Sequence, residues 1–305
     1  MNVSFRQLRL FKALAETGSV TAAARVMHVT QPTASMQLKE LSNSIGMPLF
    51  ELVGKKIYLT ETGKTLALSA QAISQEWESF EQSIAAIKGL KTGKLKIAVV
   101  STAKYFIPSL VGNFSSNYPD VDIALEVLNR DAVVARLEKN MDDMVIMTQP
   151  PEHLEIDDEV FLDNPLVCIA PQNHPLKNKK ISVTDLANEY FVMREIGSGT
   201  RMSCDLFFKD KKFSPKIRLT LGSNEAIKQS VSSGLGLSIV SIHSLTEYDL
   251  RETVCLLKVK DFPIKSKWHI VTPRGKKLSP IAKIFHDQLL TRAEEINANL
   301  NQVTL

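Results

Sequence analysis

Cysteine is scarce in this chain. There are 3 cysteines in 305 residues, Cys168, Cys204 and Cys255, odd in number, far apart and without a Cys-x-x-Cys pair. That pattern excludes a disulfide framework and points to reduced, mostly buried thiols. The 6 histidines are scattered without metal-ligand spacing, so no metal site is expected. No run approaches the ~18 consecutive apolar residues of a membrane span. The first residues turn helical almost at once, without a basic-then-apolar leader, so no secretion signal is expected and a cytoplasmic location is. Walker loops and dinucleotide fingerprints are missing, so no cofactor is expected. Ile196-Gly197-Ser198-Gly199 has the wrong spacing for a Gly-x-Ser-x-Gly elbow, and no histidine or acid can be paired with it. An enzyme is therefore not expected. Glu155 to Glu159 reads as an acidic, solvated loop.

What is present is concentrated at the start. Residues 1–60 carry 7 Lys/Arg against 3 Asp/Glu, whereas the other 245 residues carry 30 of each, so the whole net charge of +4 sits in the first fifth of the chain. Gly18 closes one helix and Ser19 caps the next, whose core face is Ala23, Val26 and Met27. His28-Val29 make a turn. Thr30 then caps a further helix with Pro32 in its first turn, where a missing N–H is harmless. Ala34, Leu38, Leu41 and Ile45 recur at helical spacing and form a buried stripe. The opposite arc presents Pro32, Thr33, Met36, Lys39 and Asn43, with Gln31 and Ser35 on its flanks near the N-terminus, and an amide, two hydroxyls and a small apolar group there suit base edges and phosphates in the major groove.

Many helical bundles contain two such helices, so the sequel decides. Leu49 to Leu52 and Ile57 to Thr60 read as strands around Val53-Gly54-Lys55-Lys56, a wing whose tip sets Lys55 and Lys56 where a flanking phosphate would lie. A merely solvated face would not need this charge asymmetry.

From Glu61 the spacing predicts a long helix with a heptad seam of Leu66, Ala70, Ile73, Trp77, Phe80, Ile84 and Ile87. The alternative is a helix packed on its own domain. The seam, however, follows the wing directly and ends at the basic, flexible stretch Lys88 to Gly93, so a second copy of the same helix is its natural partner.

These segments resemble the LysR-type transcriptional regulators over the whole chain. The resemblance is carried by FRQLRLF (Phe5 to Phe11), by GSVTAAARVMHVTQPTASMQLKELSNSIGMPLFE and by LTETG (Leu59 to Gly63). Within the family the chain is most similar to regulators of Rubisco and carbon-fixation operons, through VVSTAKYFIPSL, FLDNPLVCIAP, REIGSGTR, LGSNEAIKQSV and RGKKLSP. Lys104 and Asp131 depart from that pattern, which has a neutral residue and a glutamate there.

The resemblance implies an α/β protein with a winged helix-turn-helix (1–60), a dimerisation linker helix (61–90) and a periplasmic-binding-protein-like effector domain. Subdomain I would comprise 91–163 and 266–305, and subdomain II 164–265. It implies a sequence-specific regulator that senses a small, anionic metabolite, with double-stranded promoter DNA as partner. Self-association to a homodimer or homotetramer, nucleoid association and RNA polymerase as a candidate further partner are also implied. The regulon could be carbon fixation or an unrelated one. A metabolite-binding protein without a regulatory role would explain the second half of the chain and leave the basic winged start without a purpose.

At 44% hydrophobic content the chain has room for a small DNA-binding module and a larger core. From residue 94 strand and helix patterns alternate, which predicts two parallel-rich sheets. Ligands of open α/β sheets bind at strand carboxyl ends beside helix N-termini. Ser101-Thr102, Ser198-Gly199-Thr200-Arg201 and Ser223-Asn224 each follow a strand and open a predicted helix, and Thr148 follows a fourth strand. Each alone is an ordinary helix cap. Taken together on such a chain they are the candidate effector residues, with Arg201 as the fixed charge for a carboxylate or phosphate.

Overall fold

A computed structural model describes residues 2–53, 56–87 and 92–303, with side chains at 86–87 and 298–303 left aside. The chain divides into two compact units, one holding residues 1–87 and the other nearly all of the remainder.

The first unit contains α1 (Phe5–Thr17), α2 (Val20–Val26), α3 (Gln31–Ile45), β1 (Phe50–Val53), β2 (Lys56–Leu59) and α4 (Glu61–Ile87). Local chemistry sets each boundary. Ser4 and Gln7 form a capping box on α1, and Gly18 ends it with φ 63°. The Ser19 hydroxyl accepts from Ala22 N, the Thr30 hydroxyl from Thr33 N, and Gly46 closes α3 in the left-handed region. The core joins Leu10, Phe11 and Leu14 of α1 to Ala23 and Ala24, then to Ala34, Leu38 and Leu41 of α3.

Val26 departs from the expected core face and is 57% exposed. In so short a helix the buried arc centres on Ala23 and Ala24, with Met27 on its border, and Val26 falls outside it. β1 and β2 pair antiparallel from Phe50↔Leu59 to Val53↔Lys56. Leu49 is a fully buried anchor ahead of the strand, and Thr60 caps α4 by accepting from Gly63 N at 3.0 Å.

Gly63 sits where α4 crosses that anchor. A Cβ there would lie 1.8 Å from the Leu49 carbonyl oxygen, a backbone atom that also accepts from Thr60 N. Gly63→Ala is expected to destabilise this unit by ~1–3 kcal/mol, the usual cost of overpacking. The check is urea denaturation, in which the transition of the first unit should move to lower urea while that of the second stays in place.

The second unit opens with β3 (Gly93–Val100), α5 (Ile107–Asn117), β4 (Val121–Leu128), α6 (Arg130–Glu138), β5 (Met144–Met147) and β6 (Ile156–Asp163). There follow β7 (Leu166–Pro171), β8 (Lys180–Ile181), β9 (Tyr190–Arg194), α7 (Gly199–Asp210), β10 (Lys216–Leu221) and α8 (Asn224–Ser232). The last elements are β11 (Ser238–Ser241), β12 (Val254–Leu256), β13 (Lys258–Val259), β14 (Lys267–Pro273) and α9 (Pro280–Val303).

One sheet has the order β4-β3-β5-β14-β6, parallel through β5 and antiparallel beyond it. Its core is continuous from Leu95 and Ile97 to Phe114, Trp268 and Phe285. The other sheet centres on the antiparallel trio β11-β7-β12, with β9 and β10 paired in parallel and joined to it by a bridge between Phe191 and Leu237. Two parallel-rich sheets were expected, and this one is mixed, antiparallel in its central trio and parallel between β9 and β10. Its strands return through turns and short helical segments rather than through a crossover helix each time.

The acidic stretch 155–159 is also not a loop, because Ile156–Asp163 is the outer strand β6, paired with β14 along its length. Its carboxylates face solvent or bond locally, Asp158 to His269 at 2.7 Å and Asp157 to Gly275 N at 2.8 Å. Charges on an edge strand block edge-to-edge pairing.

The two chain passages between the sheets run side by side. Leu166 and Ile264 exchange backbone hydrogen bonds of 3.0 and 2.9 Å. Buried Asn164 accepts from the Ser241 hydroxyl at 2.6 Å and donates to the Ser266 hydroxyl at 3.4 Å. Each buried polar group in this trio has a partner, as a double passage through the interior requires.

Candidate functional site

In the first unit, Gln31, Pro32, Ser35, Met36 and Lys39 are all exposed on α3, opposite its buried stripe. Thr33 is half-buried, and its hydroxyl lies 2.8 Å from that of Thr30, so it takes part in the cap. Lys56 is exposed at the start of β2, and Lys55 lies outside the described residues. Leu52, Val53 and Tyr58 make the wing apolar as well, at 68, 61 and 53% exposed. A groove lined by Phe5, Arg6, Arg9, Val26, Met27 and His28 adds two exposed arginines at the other flank. Arg6 and Arg9 were not singled out from the sequence, although their spacing of three on α1 puts them on one face.

The seam of α4 changes character along its length. Leu66 packs against the unit's own core, and Ala70 is fully buried. Ile73, Trp77, Phe80 and Ile84 are 45, 49, 52 and 37% exposed, so the seam continues as an apolar stripe on the outside. Trp77 touches Phe5 and Phe80, each with ring centroids 5.6 Å apart. The side chain of Ile87 is outside the described residues.

In the second unit the polar residues converge around an arginine other than the expected one. Arg194, the last residue of β9, is 3% exposed. Its Nη1 donates to the Thr102 hydroxyl at 3.2 Å and to Asn224 Oδ1 at 3.1 Å, and its Nη2 to the Ser101 hydroxyl at 3.3 Å. Asn224 in turn donates to Thr102 at 3.4 Å. Glu195 completes the set with a two-pronged pair at 2.7 Å to Nε and 2.7 Å to Nη2. Burial pushes the Glu195 carboxyl up, but the guanidinium outweighs it and holds the group below the usual carboxylate range.

Arg201 is bonded within its own helix and to the end of β9. Its Nε donates to both carboxylate oxygens of Asp205, at 2.9 and 3.0 Å, and its Nη1 to the Arg194 carbonyl at 3.0 Å. It is an intrahelical ion pair that props up the strand end carrying Arg194. The remaining candidates divide in the same way. The Ser198 hydroxyl caps α7 by accepting from Arg201 N, and the Ser223 hydroxyl caps α8 by accepting from Ala226 N. Thr148 and Thr200 are buried, and a Cβ on Gly199 would lie 2.1 Å from the Thr148 hydroxyl oxygen. The start of α7 therefore abuts the end of β5.

Ser101 and Thr102 do not open an α-helix as expected. They lie in a 3-10 turn, Ser101–Tyr105, and α5 starts afresh at Ile107. Pro108 has no N–H to continue a ladder from that turn, so the helix restarts beside it. The two residues that depart from the family pattern both face the second sheet's elements. Lys104 pairs with Glu225 at 2.8 Å, and a Cβ on Gly197 would lie 3.8 Å from Asp131. Tyr105 also donates to Glu225, at 2.6 Å. Burial pushes the Glu225 carboxyl up, while the bonds from Lys104, Tyr105 and Ser223 bring it down to about 2.

Among the described residues, no group of three His, Cys, Asp or Glu could hold a metal ion, and no helix is long and apolar enough to cross a membrane. The three cysteines are buried, and burial pushes the Cys168 thiol up to about 12.

The profile of the LysR substrate binding domain matches residues 88–294, and that of the bacterial regulatory helix-turn-helix protein, lysR family, matches residues 5–64. The transcriptional activator CmpR of Synechocystis sp. is 42% identical over 97% of this chain and 98% of its own length. The RuBisCO operon transcriptional regulator of Allochromatium vinosum is 42% identical over 98% of this chain and all of its own (100%). Among solved structures, the regulatory domain of Synechocystis PCC6803 CcmR in complex with 2-PG is 42% identical, with a TM-score of 0.63, covering 66% of this chain and 97% of that one. Full-length OxyR of Pseudomonas aeruginosa shares the fold at 20% identity, with a TM-score of 0.77 over 95% of each chain. A helix-turn-helix with an exposed polar recognition face, joined to an α/β domain with a polar cluster at its strand ends, thus has full-length relatives that are regulators and not enzymes. The chain belongs to the LysR family of bacterial transcriptional regulators, DNA-binding proteins that sense a metabolite.

Proposed function

We propose that this regulator controls genes of carbon fixation or related central metabolism in response to a small phosphorylated carboxylate of the 2-phosphoglycolate kind. The observation that carries the reading is the buried guanidinium of Arg194, held among Ser101, Thr102 and Asn224 from two other chain turns. A buried arginine ringed by hydroxyls suits an oxyanion, because the charge is fixed and the neutral donors add direction. Thr148, Ser198, Thr200, Arg201 and Ser223 form the surrounding shell. In it Ser198, Ser223 and Arg201 orient the helix starts, and Thr148 and Thr200 close the floor. The relatives named for RuBisCO operons and the 42% identical neighbour with 2-PG supply the chemical class.

Residues 91–163 with 266–305, and residues 164–265, act as two subdomains that move about the paired passages at 164 and 265. The anion favours the arrangement in which both sides bond it, and only such a preference can shift the equilibrium. Two copies pair along the outer seam of α4, and two pairs form a tetramer in the cytoplasm, bound to promoter DNA and to RNA polymerase. On each half-site α3 lies in the major groove with Gln31, Pro32, Ser35, Met36 and Lys39 toward the bases. The wing, with Lys55 and Lys56, follows the flanking phosphates.

The test is a titration of promoter DNA from a carbon-fixation operon at several salt concentrations, with and without 2-phosphoglycolate. Ser35→Ala is expected to weaken specific binding by ~1–3 kcal/mol and leave bulk-DNA binding unchanged. Lys56→Ala should weaken both and reduce the salt slope by about 1. Equal losses from the two variants on both DNAs would refute the division of roles. A footprint unaffected by 2-phosphoglycolate would remove it as the effector.

A further inference from the structure

The guanidinium of an arginine carries five N–H donors. In Arg194 every one is engaged within the chain: Nε and one Nη2 hydrogen on Glu195 at 2.7 Å, the other on Ser101 at 3.3 Å, and the two of Nη1 on Thr102 at 3.2 Å and Asn224 at 3.1 Å. So saturated a group cannot take an oxyanion by simple addition. A partner must leave.

The five contacts are unequal. Ser101, Thr102 and Asn224 are neutral, and their bonds are the longer ones. Glu195 is the anion, and its two oxygens occupy the fork of the guanidinium in the geometry that a carboxylate or phosphate would adopt. Its side chain is 32% exposed against 3% for Arg194, so it has a path to solvent. Its backbone is fixed independently, because Glu195 N donates to the Leu221 carbonyl at 3.2 Å. The side chain can swing away while β9 keeps its place. The other charges nearby are held elsewhere: Glu225 by Lys104 and Tyr105, and Arg201 by Asp205.

Resting on the reading of this cleft as the effector site, we propose that Glu195 is an internal stand-in for the anionic group of the effector, holding the fork of Arg194 until an incoming oxyanion displaces it. The exchange moves no covalent bond and transfers no proton. A tethered carboxylate competes at an effective concentration on the order of millimolar or above, so it sets a threshold that an anion must exceed. A lone carboxylate brings no advantage over Glu195. A phosphate brings a charge approaching −2 and three acceptor oxygens, so the threshold selects for phosphorylated ligands. Glu195 thereby determines both affinity and charge selectivity.

The experiment is isothermal titration of the full chain with 2-phosphoglycolate and, separately, with inorganic phosphate. It compares wild type, Glu195→Gln and Arg194→Gln, with a melting curve for each. Glu195→Gln keeps the shape and removes the competing charge. It is expected to bind 2-phosphoglycolate at least tenfold more tightly than wild type and to bind inorganic phosphate measurably, while Arg194→Gln binds neither. If Arg194→Gln does not melt cooperatively, Thr102→Val replaces it, and weaker binding is expected. Loss of binding in Arg194→Gln or Thr102→Val with no gain in Glu195→Gln overturns the stand-in and leaves the cleft as the site. Wild-type titrations from every variant overturn both, and no binding by Glu195→Gln of either probe overturns the stand-in outright.

Discussion

Glutamates in place of both Trp77 and Phe80 are expected to turn the protein into monomers that bind operator DNA at least a hundredfold more weakly. The two rings lie on the outer part of the α4 seam, at 49 and 52% exposed, between Ile73 and Ile84. Large apolar side chains in one exposed stripe mark an interaction surface, and a heptad stripe fits a second helix of the same kind. Two carboxylates there would have to be buried unpaired in any such pair, which costs several kcal/mol. Without pairing, each reading unit binds alone, and the gain of ~10²–10⁴ from linked binding is lost. Trp77 also touches Phe5 of α1, so its loss disturbs the unit itself. Ile84→Glu, two turns further along, separates the effects and should dissociate the pair with the first unit's melting transition unchanged. Sedimentation equilibrium reads the outcome, and an unaltered oligomer in both variants would remove the seam as the interface.

The second large effect concerns Gly199. A methyl group there would sit 2.1 Å from the Thr148 hydroxyl oxygen and 3.2 Å from its carbonyl, and Thr148 is 4% exposed with little room to turn. Gly199→Ala should force the start of α7 away from the end of β5. Overpacking of this kind costs ~1–3 kcal/mol, which moves a two-state equilibrium by about fivefold to somewhat over a hundredfold at 1.4 kcal/mol per decade. The expected result is unchanged operator binding by itself and a 2-phosphoglycolate response shifted about fivefold or more to higher concentration in the footprint. A normal response would mean that this close approach is not part of the responding arrangement.

The reading unit was legible because its signals are local. Ser19 and Thr30 are caps, Gly18 and Gly46 are left-handed stops, and the stripe Ala34, Leu38, Leu41 is periodic, so neighbours along the chain settle the shape. Gly63 was visible only as part of a motif, and its reason is the Leu49 carbonyl, fourteen residues back. The strand ends that gather Ser101, Thr102 and Asn224 were legible from the alternation of apolar runs and caps. The charge at their centre was not. Arg194 closes an apolar strand, and nothing beside it in the chain says that two other turns will converge on its fork. Arg201 drew attention by standing at a helix start, yet Asp205 four residues on already offered it an ion pair. β6 was missed because carboxylates on the solvent face of an edge strand look like a loop in one dimension.

One consequence of α4 concerns the DNA rather than the protein. The helix packs Leu66 against the core that also holds α3 and carries Ile73, Trp77, Phe80 and Ile84 on its outside, without a break between them. Twenty-seven residues at 1.5 Å each make a strut of about 40 Å. Its near end is packed on α1 and the wing strand β2 of the same reading unit, so the strut would act as a caliper with no joint. Paired copies would accept only half-sites at one separation and one rotational phase around the duplex. Inserting five base pairs between half-sites should then be far more damaging than inserting a full helical turn, because the first puts the second site on the wrong side of the DNA.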